Sequence, residues 1–139
     1  MIEIERRINA PTTTVFSYFT HSSLYSRWMG VEAQIDARPG GIYRVLVPQG
    51  THARGTFSEV DPPNRLVFTW GWEGSVEVPP GSSRVEITLT PDGDGTILRL
   101  VHSGLPNAGS ISGHTEGWER YLDRLGTVTA GGDPGADMV

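Results

Sequence analysis

The sequence predicts an α+β domain: one strand, two short helices, six further strands in an antiparallel meander, and a long C-terminal helix. Three observations carry this expectation. From about Ser112 to Thr127, the residues Trp118, Tyr121, Leu122 and Leu125 recur at i, i+3, i+4 and i+7, the stripe of an amphipathic helix. Ahead of it, roughly ninety residues alternate apolar and polar side chains, with turn signals every eight to twelve positions or so. A single helical stripe cannot be buried alone, so the strands must supply its opposite wall.

Taken in order, Ile2, Ile4 and Ile8 alternate with Glu3, Glu5 and Arg7, the period of a half-buried strand. Pro11 suits a first helical position and Asn9 a cap, with Val15, Phe16 and Phe19 on the apolar side of a short helix. A second short helix or turn carries Leu24, Trp28 and Met29. Strands follow over 31–36, 42–47, 53–60, 66–72, 84–90 and 96–102, separated by Pro39-Gly40-Gly41, Asp61-Pro62-Pro63-Asn64 and the hairpin turn Pro91-Asp92-Gly93-Asp94-Gly95. Leu105 to Gly113 reads as a Gly/Ser/Pro-rich approach to the final helix. The predicted domain is 1–127, and 128–139 is expected to be a flexible, frayed tail.

Composition narrows the function. The chain has 139 residues, enough to bury one core. Its net charge of −5 argues against a nucleic-acid footprint, which needs a basic face. No apolar run approaches the ~18 residues of a membrane span, and Met1 to Arg7 does not read as a signal peptide, so a soluble cytoplasmic protein is expected. There is no cysteine, and all 11 basic residues are arginine, which leaves neither thiolate nor Schiff-base lysine chemistry. The four histidines lack metal-ligand spacing. Neither a metal nor a cofactor is expected.

Six stretches, "IERRINAPTTTVFSYFT", "SRWMG", "RPGGIYRV", "GTFSEVDPPNRLVFTWGWEG", "SSRVEITLTPDGDGTILRLVHSGLP" and "GHTEGWERYLDRL", run from Ile4 to Leu125. Together they resemble the START/SRPBCC superfamily, in the branch named after the activator of the 90-kDa heat-shock-protein ATPase. The resemblance implies a helix-grip (START-like) fold: a curved antiparallel sheet of about seven strands around the long helix, with a cavity between them. It also implies a range of roles, since superfamily members bind apolar small molecules, some are cyclases or hydrolases, and one branch contains co-chaperones.

Candidate ligand-binding residues follow from position and chemistry. Phe68, Trp70 and Trp72 share a strand face and offer flat apolar area, with an indole N–H on each tryptophan. Filling the core is the plainer role. His102 ends a strand facing inward, where an imidazole could orient a ligand or be held by the backbone. Tyr43 and Tyr121 each bring an inward hydroxyl that needs a partner. Trp118 leads the helical stripe, and Trp28 matches the family stretch that borders the cavity mouth. His114, His21 and His52 read as surface residues, Gly117 as a point of close approach by a strand or a ligand, with sheet packing the plainer role, and Arg6 with Glu59 as a candidate buried ion pair. No nucleophile, base and orienter can be assembled, so no catalytic residue is assigned. The expected function is non-catalytic binding of an apolar or amphipathic small molecule between sheet and helix. The alternatives are a cyclase- or hydrolase-like cavity enzyme, with His102 beside Tyr43 or Glu59, and a co-chaperone. Expected partners are a small apolar or aromatic ligand, a second copy of the chain and, on the resemblance alone, a chaperone.

Overall fold

Seven strands form one antiparallel sheet in the order β1-β7-β6-β5-β4-β3-β2 in the computed structural model, which describes residues 1–138. The strands are β1 (Ile2–Ile8), β2 (Glu32–Ile35), β3 (Ile42–Leu46), β4 (His52–Asp61), β5 (Arg65–Trp70), β6 (Ser83–Asp92) and β7 (Gly95–Ser103). Helices α1 (Thr12–Thr20) and α2 (Ser22–Tyr25) follow β1, and α3 (Ala108–Thr129) closes the fold. The predicted α+β helix-grip architecture is therefore present.

Period-two alternation explains the buried face. Val85, Ile87 and Leu89 on β6 and Leu98, Leu100 and His102 on β7 stand in register, Ile87 opposite Leu100. Against them lie Trp118, Tyr121, Leu122, Leu125 and Val128 of α3, all buried. Burying one such aliphatic side chain is worth about 2 kcal/mol, so this seam fixes the helix across the sheet.

Four local expectations are corrected. Helix α1 begins at Thr12 with Pro11 at the cap, while Asn9 bonds Arg7 instead of capping. β5 ends at Trp70, and Trp72 keeps only an isolated bridge to Ala53. Helix α3 starts four residues early, at Ala108, because Asn107 Oδ1 accepts from the Ser110 backbone N–H at 2.8 Å. Arg6 pairs with Asp123 of α3, and Glu59 with Arg65 on its neighbouring strand, so the expected Arg6–Glu59 pair does not form.

The segment expected to fray is held to the domain. Arg124 donates to the carbonyls of Trp28, Pro134 and Gly135 at 2.8, 3.0 and 2.8 Å. The Asp137 carboxylate, fully buried, accepts from Gly30 N–H at 2.9 Å and Tyr121 O–H at 2.6 Å, and pairs with Arg120. A glycine-rich composition shows that a segment has no periodicity of its own; it does not show what side chains elsewhere will hold it.

Candidate functional site

A partly open pocket of about 710 Å³ lies between the first half of α3 and the loop 71–82 that joins β5 to β6. Trp70 and Trp72 form one wall, and His114, Trp118 and Tyr121 of α3 another; Met29 and Val47 close the far side. The loop is held near the sheet at Gly71, where an added Cβ would stand 1.8 Å from the Pro79 carbonyl oxygen.

Two tryptophans in this wall have their indole N–H engaged. Trp118 Nε1–H donates to His102 Nδ1 at 3.0 Å, and His102 Nε2–H donates to Ser83 Oγ at 2.9 Å, whose hydroxyl donates to the Trp70 carbonyl at 3.0 Å. Trp72 Nε1–H donates to His114 Nε2 at 3.0 Å, and His114 Nδ1–H donates to the Ser110 carbonyl at 2.7 Å. Each ring therefore has both nitrogens bonded, His102 accepting at Nδ1 and His114 at Nε2, with no free lone pair for a metal ion. Burial is the main cause that pushes His102 down to about 3, with the nearby His114 adding to it. Trp70 differs: its Nε1 is, among the described residues, a buried side-chain polar atom without a hydrogen-bond partner.

Of the candidates read from sequence, Trp70, Trp72, Trp118 and Tyr121 reach the pocket; Trp28, Tyr43, Phe68 and His102 do not. Tyr43 lies on the buried face of β3, stacked on Phe68 at 4.2 Å, with its hydroxyl bonded to that of Tyr25. Burial raises both of these tyrosines well above the ordinary phenol range. Trp28 donates to the Tyr18 carbonyl at 3.0 Å and packs on Phe19. His102 is wholly inside, behind Trp118. Tyr121 offers the pocket its ring, since its hydroxyl is given to Asp137; burial and that bond push it up to about 12. In Asp137 burial acts to raise the pKa, but the bonds from Tyr121, Arg120 and Gly30 overcome it and hold the carboxyl below its usual range.

Two features escaped the sequence reading. His114 lines the pocket instead of facing solvent, a position signalled by its place four residues before Trp118 on the same helical stripe. Gly113 and Gly117 also line it, and among the described residues no neighbouring heavy atom lies within 4 Å of a Cβ built on either. The expectation of close sheet packing at Gly117 is therefore wrong. Glycine costs a helix interior up to about 1 kcal/mol relative to alanine, and here the result is an open wall of bare backbone.

A curved sheet gripping a long helix, with a pocket at one end of their seam, defines the helix-grip class. The chain belongs to the Activator of Hsp90 ATPase homolog 1-like protein family, whose model matches residues 9–130. It is similar to the solution structure of an AHSA1-like protein from Rhizobium etli, with 50% identity over 98% of this chain and 85% of that one, at a TM-score of 0.77. CalU16 from Micromonospora echinospora is 33% identical, with 93% and 75% of the two chains covered and a TM-score of 0.75. An HSP90 activator from Plasmodium falciparum, 21% identical over 93% and 95%, shares the fold at a TM-score of 0.78. No curated protein matches the chain. Among the described residues no helix is long and apolar enough to cross a membrane.

Proposed function

We propose that the chain binds an apolar or amphipathic small molecule, without catalysis, in the pocket between α3 and the 71–82 loop. The observation that carries this is a volume of about 710 Å³ walled by Trp70, Trp72 and Trp118, with helix backbone bare at Gly113 and Gly117. The candidate catalytic groups are engaged elsewhere. His102 has both ring nitrogens bonded, the Tyr43 hydroxyl is bonded to Tyr25, and Glu59 pairs with Arg65. That favours binding over a cyclase- or hydrolase-like reaction.

Native mass spectrometry of protein from its own host, followed by tryptophan quenching with aromatic and acyl compounds, tests the reading. A co-purifying molecule, or saturable quenching lost on Trp72→Ala, is the expected result. Absence of both overturns it. Family membership favours one second reading, contact with a chaperone. Its measurement is stimulation of a chaperone ATPase by the purified chain, and no stimulation removes it. A homodimer is likewise a proposal, checked by sedimentation equilibrium.

A further inference from the structure

We propose that the pocket takes a flat, uncharged molecule bearing a hydrogen-bond acceptor, a carbonyl oxygen above all, laid on the bare face of α3 and paired with the Trp70 indole N–H. This rests on the pocket-binding reading above and specifies the ligand for that same site.

Shape comes from the helix. Gly113 and Gly117, one turn apart, both line the pocket, and nothing else in the described structure packs within 4 Å of where their side chains would be. Gly126 is equally open but lies off the pocket wall. Gly109 lines the pocket too but meets the Asn107 side chain, so it is Gly113 and Gly117 that leave a surface on which a ring system can approach backbone directly. Opposite stand the rings of Trp70 and Trp72, whose planes favour stacked or edge-on aromatic partners.

Polarity comes from Trp70. Only 2% of this residue is exposed, it lines the pocket, and its nitrogen has no partner, whereas Trp72 and Trp118 in the same pocket are both satisfied within the protein. A buried N–H without an acceptor is costly, and an acceptor on the ligand removes that cost on binding. The nitrogen is closed to solvent, so the acceptor reaches it by parting Trp70 from Trp118 or Trp72, whose ring centroids stand 5.2 and 5.3 Å away.

Charge comes from the remaining lining residues. Glu77 and Glu116 are acidic, Arg120 is paired with Asp137, and His114 is bonded through both nitrogens. A ligand carboxylate would meet two like charges and no free cation in this wall, which disfavours anions.

The test compares three probes of one shape, fluorenone, fluorene and fluorenecarboxylate, by equilibrium titration of the full chain. Fluorenone is expected to bind about tenfold more tightly than fluorene, the effect of one added hydrogen bond, and fluorenecarboxylate more weakly than both. In Trp70→Phe the preference for fluorenone over fluorene should vanish. Gly117→Leu, which suits a helix and has room, should weaken both neutral probes at least tenfold while the domain stays folded. Equal affinity for fluorenone and fluorene in the unaltered chain, or a preference that survives Trp70→Phe, overturns the acceptor and leaves the pocket reading intact. Tighter binding of the carboxylate overturns the charge assignment, and unchanged binding in Gly117→Leu the helix face. If none of the probes binds, this inference fails, and the pocket reading fails with it only where the co-purification and quenching experiments are negative as well.

Discussion

Two aromatic clusters lie under the same sheet and behave oppositely. Beneath β3 and β4, Tyr25, Trp28, Tyr43, Phe57 and Phe68 close on one another, with ring centroids 4.2 to 6.1 Å apart along the chain of contacts. Their polar atoms are satisfied: Tyr43 bonds Tyr25, Tyr25 reaches Met29 Sδ, and Trp28 bonds the Tyr18 carbonyl. Joined to them where Tyr43 meets Trp70 at 5.8 Å, Trp70, Trp72, His114 and Trp118 form a second cluster of similar spacing, yet it borders a cavity and leaves the Trp70 nitrogen unpaired. The difference lies in what faces the rings. Helices α1 and α2 and the turn after them bring Phe19, Tyr25 and Trp28 to the closed end, whereas α3 brings Gly113 and Gly117 to the open one. Aromatic content marks where apolar area is; the size of the opposing residues decides whether the space is filled.

The largest test of this contrast is truncation at each end. Tyr43→Ala should destabilise by about 3–5 kcal/mol, because it opens a hole in a closed cluster. Trp72→Ala should cost less than half of that, since Trp72 is only partly buried and already borders open space. Urea unfolding of the two variants measures this, and equal losses would mean that both ends are packed alike.

Acid should act on the pocket-side cluster, where His102 packs against Trp70 and Trp118. Below about pH 6.5 unfolded chains protonate this histidine, while native His102 stays neutral down to about 3, so the unfolded state binds more protons across that window. Stability due to His102 is therefore present above that window and falls with pH through it, by up to about 1.4 kcal/mol per pH unit. In His102→Gln that part of the slope should disappear. An unchanged slope in urea midpoints from neutral to mildly acid pH would show that His102 is not held neutral.

A smaller effect is expected at the C-terminal strap. Asp137→Ala leaves the Tyr121 hydroxyl and the Gly30 N–H without their acceptor and should cost about 1–3 kcal/mol. Hydrogen exchange should quicken at Gly30 and over 130–138 while β6 and β7 keep their protection. Smallest, and opposite in sign, Gly117→Ala should stabilise by about 0.5–1 kcal/mol, seen as a melting temperature a few degrees higher. A loss of stability there would mean that the helix face is in contact after all.

Much of the fold could be read from the chain. The alternation in β6 and β7 and the stripe on α3 gave the buried face, because period two and period 3.6 are properties of the backbone that any one element expresses alone. Four of the eight candidate residues line the pocket, for the same reason: Trp70, Trp118 and Tyr121 point inward by their own periodicity, and Trp72 continues the strand direction past its last ladder bond. Tyr43, Phe68 and His102 point inward just as surely, yet lie in filled regions. Inwardness is local, and vacancy is a relation between elements.

The sequence by itself therefore determined the order of elements, which face of each is buried and the family to which the chain belongs. Tertiary structure alone decided where the buried face stays open, which indole lacks a partner, and that Asp137 returns to Tyr121 and Gly30. The reason is physical. Periodicity is written by neighbours three or four residues apart, while a pocket and a hydrogen-bond balance are set by side chains that only folding brings together, such as Trp72 and His114, 42 positions apart along the chain.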